Sequence, residues 1–175
     1  MCDSVLAHWS DPRRLAEVKT VRGLVRRCAS QEGNAVATAV RLGLSRDPRV
    51  ELLVERLLSW QWPDGGWNCD ARPEARHSSF HETLPTLWGL HEYAVATGDR
   101  ACTAAVRAGS ELLLQHAIVF SRRTGHPIHP SFIRPHYPPY WHYDVLQALL
   151  VVQRVGRGTD PRLSLIHISE PTRPY

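Results

Sequence analysis

Three times the chain reads Asp-Pro-Arg, at Asp11-Pro12-Arg13, Asp47-Pro48-Arg49 and Asp160-Pro161-Arg162. No other feature restricts the fold as much. An aspartate at the N-cap accepts a hydrogen bond from the free N–H groups of the first turn, and a proline at the first helical position gives up a donor that had no partner. Each triplet predicts a helix start. Asp99-Arg100, after Gly98, predicts a fourth. Beyond Asp47, Val50, Leu53, Val54, Leu57 and Leu58 recur at helical spacing; beyond Asp99, Cys102, Ala105, Val106, Leu112 and Leu113 do the same. A further stripe precedes each: Val36, Ala39, Val40 and Leu44, halted around Gly43 to Arg46, and Phe80, Leu84, Leu87, Trp88 and His91, halted at Gly98. A fifth helix is predicted from about Tyr140 to Val155. Val145, Leu146, Leu149, Leu150 and Val151 make it apolar nearly all round, which predicts burial between neighbours.

The order is helix, short turn, helix, longer loop. The starts at Asp47, Asp99 and Asp160 lie 52 and 61 residues apart (99 − 47 and 160 − 99). Helical hairpins recurring at that period predict an all-α fold of stacked repeats, each hairpin covering its neighbour. The stretch Val21 to Arg27 also fits a short extended piece. Ser121 to Pro139, rich in Pro, His and Arg, reads as one long loop, and loops of that length are usually functional or disordered.

Composition excludes several classes. With 175 residues, 43% hydrophobic and 22% charged, the chain fits an ordinary globular domain and neither a disordered nor a collagenous one. No apolar run approaches the ~18 residues of a membrane span. The net charge of +4 comes from arginines spread along the chain, whereas a nucleic-acid surface clusters them, so no nucleic-acid partner is expected. Cysteines stand at 2, 28, 69 and 102 without a CxxC pair, and MCDSVLAHWSDPRRL holds no apolar leader. Free thiols and a cytoplasmic setting are the expectation.

Gln61-Trp62-Pro63-Asp64-Gly65-Gly66-Trp67 follows the helix that ends near Trp60. Physically, the glycines turn the chain tightly, the glutamine can bond backbone groups at the next helix end, and the tryptophan can pack over the junction. The segment resembles the Q-x-x-x-G-x-W tail of the QW motif of terpenoid cyclases, including the squalene and hopene cyclases. Protein prenyltransferase β-subunits share the fold this implies, a double-layered ring of helices called the α/α toroid. The resemblance spans roughly residues 30–162, behind an N-terminal segment 1–29. Two departures stand out: Arg56 occupies a position where the motif expects an aromatic residue, and no later hairpin repeats Gly-x-Trp. A complete toroid has about a dozen helices, so the resemblance implies a truncated member, with the remainder of its own ring missing. The tail supports that expectation. Residues 163–173, LSLIHISEPTR, are similar residue for residue to the translation of a transposon-end adapter used in DNA library preparation. Natural sequence is then expected to end near Arg162, with 163–175 non-native and His167 and Glu170 of no chemical interest.

Several residues are candidates for chemistry. No Asp-x-Asp-Asp, the alkene-protonating motif of the cyclases, occurs. The prenyltransferase resemblance implies zinc held by Asp, Cys and His, and zinc prefers such donors as Cys28, Cys69, Asp70, His81 and His142. Cys69 and Asp70 are adjacent and in the opposite order to that family's pattern; Cys28, Cys69 and His142 are the metal candidates kept, and no cofactor is identified. Ser79-Phe80-His81-Glu82 reads as a capping box, with Glu82 bonding back to Ser79, or as a proton-transfer pair, His81 and Glu82, at a toroid mouth. The densest cluster runs from His136 to Asp144, where Tyr137, Tyr140, Trp141 and His142 either line an apolar or cationic ligand or fill a seam between hairpins. Ser30 is the expected cap of an inner helix, with Glu32 a further candidate for the ligand site.

Three functions remain open from sequence. One is a toroid enzyme of the terpenoid or prenyl type acting on an apolar isoprenoid-type small molecule. Another is a six-hairpin carbohydrate enzyme using paired carboxylates from Asp70, Glu82 and Asp144. The last is a non-catalytic ligand-binding toroid.

Overall fold

The computed structural model describes residues 2–16 and 18–164. Helices dominate, beside one two-stranded hairpin. The chain divides into two compact units, Met1–Gly109 and Ser110–Tyr175, with the boundary inside a helix.

The first unit opens with α1 (Cys2–Trp9) and α2 (Pro12–Ala16). Strands β1 (Lys19–Val21) and β2 (Leu24–Arg26) then pair antiparallel, with Lys19 opposite Arg26 and Val21 opposite Leu24. Arg22 and Gly23 take positive φ of 53° and 76° in the two-residue turn, the conformation whose twist matches the flanking strands. The stretch Val21 to Arg27, expected as one short extended piece, thus holds the end of β1, the turn and β2.

Four helices follow: α3 (Ala29–Arg41), α4 (Pro48–Ser59), α5 (Phe80–Thr97) and α6 (Arg100–Gln115). Two predicted starts hold in atomic detail. Asp47 accepts from the Arg49 N–H at 2.9 Å, ahead of Pro48. Asp99 accepts from the Cys102 N–H at 2.7 Å. Gly98, left-handed at φ 77°, closes α5. A third start, Asp11-Pro12, opens only the five residues of α2.

Helices α3 and α5 lie side by side and parallel. Successive meetings run in the same order along both: the Ser30 N–H with Glu82, Gly33 with Thr86 and Gly89, Arg41 with Glu92. Two backbones approach this closely only where side chains are missing. A Cβ on Gly33 would stand 2.6 Å from the Thr86 Cα, and one on Gly89 would stand 2.3 Å from the Gly33 carbonyl oxygen. Helix α4 runs antiparallel to α3, since its C-terminal residues Arg56 and Trp60 meet Glu32 and Arg27 near the start of α3. Val36, Leu53, Leu57, Trp67, Leu87 and Leu90 fill the core of this unit.

The Gln61–Trp67 loop closes over this packing. The Gln61 side-chain amide donates to the carbonyls of Gly65 at 2.7 Å and of Ala105, on α6, at 2.9 Å. Gly65 takes a left-handed φ of 97° against Ala108. Trp67 is buried, and its indole N–H donates to the Leu57 carbonyl at 2.8 Å.

In the second unit a 3-10 turn (Pro130–Ile133) and α7 (Val145–Arg154) follow α6. The predicted fifth helix begins later than Tyr140 because Asp144 caps it, accepting from the Gln147 N–H at 2.9 Å. The expectation of burial all round is also corrected: Leu146 and Leu150 are exposed, and α7 buries Ala148 and Val152. Pro161–Ser164 forms a single 3-10 turn in which Arg162 bridges Asp160 and Glu111. Of the adapter-like segment, Leu163 and Ser164 lie in that turn; the rest, including His167 and Glu170, falls outside the described residues. No helix among the described residues is long and apolar enough to cross a membrane.

Candidate functional site

The close approach of α3 and α5 sets their first turns side by side, and three side chains with metal-ligating or nucleophilic chemistry meet there. Cys28 is the residue before α3, Glu82 lies in the first turn of α5, and Cys69 comes from the loop after Trp67. Their ligand atoms all lie within 4.8 Å of one another. The Cys69 thiol donates to Glu82 Oε1 at 3.5 Å, and the Ser30 N–H donates to Glu82 Oε2 at 3.0 Å. Glu82 is buried at 8% exposure, while Cys69 lies on the open side of the group.

Electrostatics suit negative ligands at this place. Both helix N-termini bring the positive ends of their dipoles to this place, and the Ser30 N–H of α3 is given to the Glu82 carboxylate. Burial, then the Glu82 carboxylate, then the neighbouring Cys28 thiol push the Cys69 thiol up to about 12. Each cause penalises a second negative charge, and a cation among the three would offset that penalty.

This geometry corrects two expectations. Ser79 has the backbone conformation of an N-cap, yet its hydroxyl makes no capping bond, and Glu82 reaches across to α3 instead of back to Ser79. The capping box does not form. Ser30 is likewise inside α3 rather than its cap, and Cys28 takes the cap position. His81 is half-buried beside Glu82 on the first turn of α5.

Glu32 is fully buried on α3 and serves as an ion-pair partner. Its Oε1 accepts from Arg27 Nε at 3.0 Å and Nη2 at 2.7 Å, and Arg56 lies close enough to interact with it. Arg56 is buried too; its Nη1 donates to the Trp9 carbonyl at 3.0 Å, and burial lowers its pKa. Asp70, one residue past Cys69, is held by Arg72: both carboxylate oxygens accept from the guanidinium, at 2.6 Å in the shortest contact, lowering its pKa to about 2. Arg26, buried and stacked 4.4 Å over the Trp62 ring, also acts on Asp70.

The aromatic cluster belongs to the second unit. Tyr137, Tyr140 and Trp141 are 97%, 77% and 75% exposed, so they stand on the surface. His142 stacks between His136 and Trp141, with ring centroids 4.4 and 4.2 Å apart. Asp144 is fully buried. Its oxygens accept from the Gln147 N–H and from the His136 N–H at 2.8 Å, and His136 Nδ1 lies 3.3 Å away. Next to it, the Tyr143 hydroxyl donates to the Ile118 carbonyl at 2.5 Å, and burial raises its pKa well above the ordinary value.

Of the metal candidates from sequence, Cys28 and Cys69 come together, with Glu82 as their third partner, while His142 is stacked within the second unit. The Cys28–Glu82 meeting spans 54 positions (82 − 28). The one signal for it in the sequence is a glycine in each helix, Gly33 and Gly89, which permits the contact without announcing it. Comparison of the chain with protein-family models, curated proteins and solved structures gives no match.

Proposed function

We propose that these hairpins are a segment of an α/α toroid of the terpenoid cyclase and protein prenyltransferase type, and that the protein acts on an apolar isoprenoid-type substrate where α3 and α5 begin. The observation that carries the reading is the parallel α3–α5 pair with α4 folded back antiparallel on α3. A ring of hairpins has this alternation, with parallel inner helices and returning outer ones. The Gln61 bond to the Ala105 carbonyl supports it as well, since it ties the loop after α4 to α6 of the next hairpin.

In such a ring the inner helices start at one mouth of the central cavity, which would put Cys28, Cys69, His81 and Glu82 there. Of the two reactions, group transfer suits these residues better than alkene protonation. A cyclase needs a carboxylic acid with a proton to give. Both Glu82 oxygens are already acceptors, one from a backbone N–H and one from a thiol. A carboxylate and two sulfurs instead suit stabilising a developing allylic cation or holding a nucleophile.

Equilibrium binding of the purified chain to farnesyl and geranylgeranyl diphosphates and to their parent hydrocarbons tests the reading. Saturable binding that weakens in His81→Ala, while Trp141→Ala binds like wild type, is the expected result. Failure of every isoprenoid to bind, or equal weakening in Trp141→Ala, would overturn it.

A further inference from the structure

We infer that Cys28, Cys69 and Glu82 form a binding site for a thiophilic divalent cation, zinc above all, with a fourth coordination position open to solvent or substrate. The inference stands on the geometry of these three residues and not on the ring reading above.

The separations fit one small ion. Sulfurs bound about 2.3 Å from a tetrahedral zinc lie roughly 3.8 Å apart, and a sulfur and an oxygen roughly 3.6 Å apart. Cys69 Sγ and Glu82 Oε1 are 3.5 Å apart, and no pair in the group exceeds 4.8 Å. Closing the set around an ion therefore takes shifts of about 1 Å at most, which rotamer adjustment of the Cys28 and Cys69 side chains supplies.

The donor set also points to the metal. Two thiolates and one carboxylate are softer than calcium or magnesium sites, which take oxygen ligands only. Three protein ligands match an open zinc site better than a closed structural one. The surroundings hold the ligands in place. Glu82 Oε2 is fixed by the Ser30 N–H, leaving Oε1 toward the sulfurs. Cys28 and Glu82 sit on first turns locked together by the Gly33–Gly89 contact, while Cys69 comes from a loop anchored by Trp67. A site assembled from three segments far apart in sequence depends on the fold, so binding and folding are coupled.

The test uses the full chain, purified with reductant and freed of metal by a chelator. Zinc is then titrated back and counted by elemental analysis, and cobalt(II) is titrated in parallel. Expected are one zinc per chain, a sulfur-to-cobalt charge-transfer band, and a rise in melting temperature on adding zinc. Cys28→Ser and Cys69→Ser should each weaken binding by more than the roughly hundredfold that loss of an outer-shell partner costs, and should abolish the zinc-dependent rise. Glu82→Gln keeps an acceptor for Ser30 and should keep the cobalt band while weakening affinity. Cys102→Ala should bind as wild type does, because Cys102 is buried at the start of α6 and outside the group. Circular dichroism of each apo variant checks that it is folded. The site is refuted if the reduced wild-type chain takes up no zinc, if uptake survives Cys28→Ser or Cys69→Ser, or if the two thiols prove joined as a disulfide and bind nothing once reduced.

Discussion

Gly33 and Gly89 meet across the seam between α3 and α5, and the space between them has no room for a methyl group: a Cβ on Gly89 would lie 2.3 Å from the Gly33 carbonyl oxygen. The candidate site depends on this contact. It brings the first turns of the two helices together, and with them Ser30, Cys28 and Glu82.

Gly33→Ala should therefore destabilise the protein even though alanine is the better helix former. Propensity favours the substitution by about 1 kcal/mol. Forcing a Cβ against the Thr86 backbone at 2.6 Å costs about 1–3 kcal/mol by overpacking and parts the helices as well. A lower urea midpoint for Gly33→Ala is expected; an unchanged or higher one would show that the seam has room for a methyl group.

Acid should weaken the start of α4. Its N-cap, Asp47, has its pKa lowered from 3.8 to about 2, first by the Arg49 side chain and then by the Arg49 N–H. Because the folded value is depressed, the contribution is fully present above the ordinary carboxylate range and is lost as pH falls from about 4 toward 2. Asp70 titrates in the same direction through Arg72. Both pairs face solvent, so the effect is modest and screened by salt. Thermal melts at pH 7, 4 and 2.5 should show Asp47→Asn less stable at neutral pH and less sensitive to acid than wild type. Parallel pH curves for the two proteins would count against this account.

Glu32 holds the start of α3 as the carboxylate partner of Arg27, with buried Arg56 nearby. Removing one charge from a buried pair leaves the other uncompensated, at a cost of about 3–5 kcal/mol. Glu32→Gln should lower the melting temperature sharply, and replacing Arg27 with methionine in the same chain should recover part of the loss. If Glu32→Gln melts like wild type, solvent reaches this cluster.

Helix starts were legible in the sequence because capping is local: the bonds from Asp47 to Arg49 and from Asp99 to Cys102 join residues two and three apart. The Gln61–Trp67 turn was legible for the same reason, its glycines and proline acting within seven positions. The largely helical character follows from these signals and the apolar stripes. Where local signals competed, the reading went astray. The Ser79–Glu82 spacing is that of a capping box, but Glu82 has a second donor within reach, the Ser30 N–H, from a helix 52 positions away (82 − 30). The aromatic residues around Trp141 read in sequence as a ligand lining or as filler of a seam; burial is a property of the assembled surface, and Tyr137, Tyr140 and Trp141 are exposed.

The sequence by itself determined where helices begin, which faces are apolar and which loop turns tightly, since those depend on neighbours a few residues apart. The tertiary structure alone decided that Cys28, Cys69 and Glu82 share one place and that Asp70, Glu32 and Asp144 are each taken up by other partners. The physical reason is the packing of α3 on α5. Two glycines permit a backbone contact, but which helices make it depends on the free energy of the whole core, and no short stretch of residues contains that information.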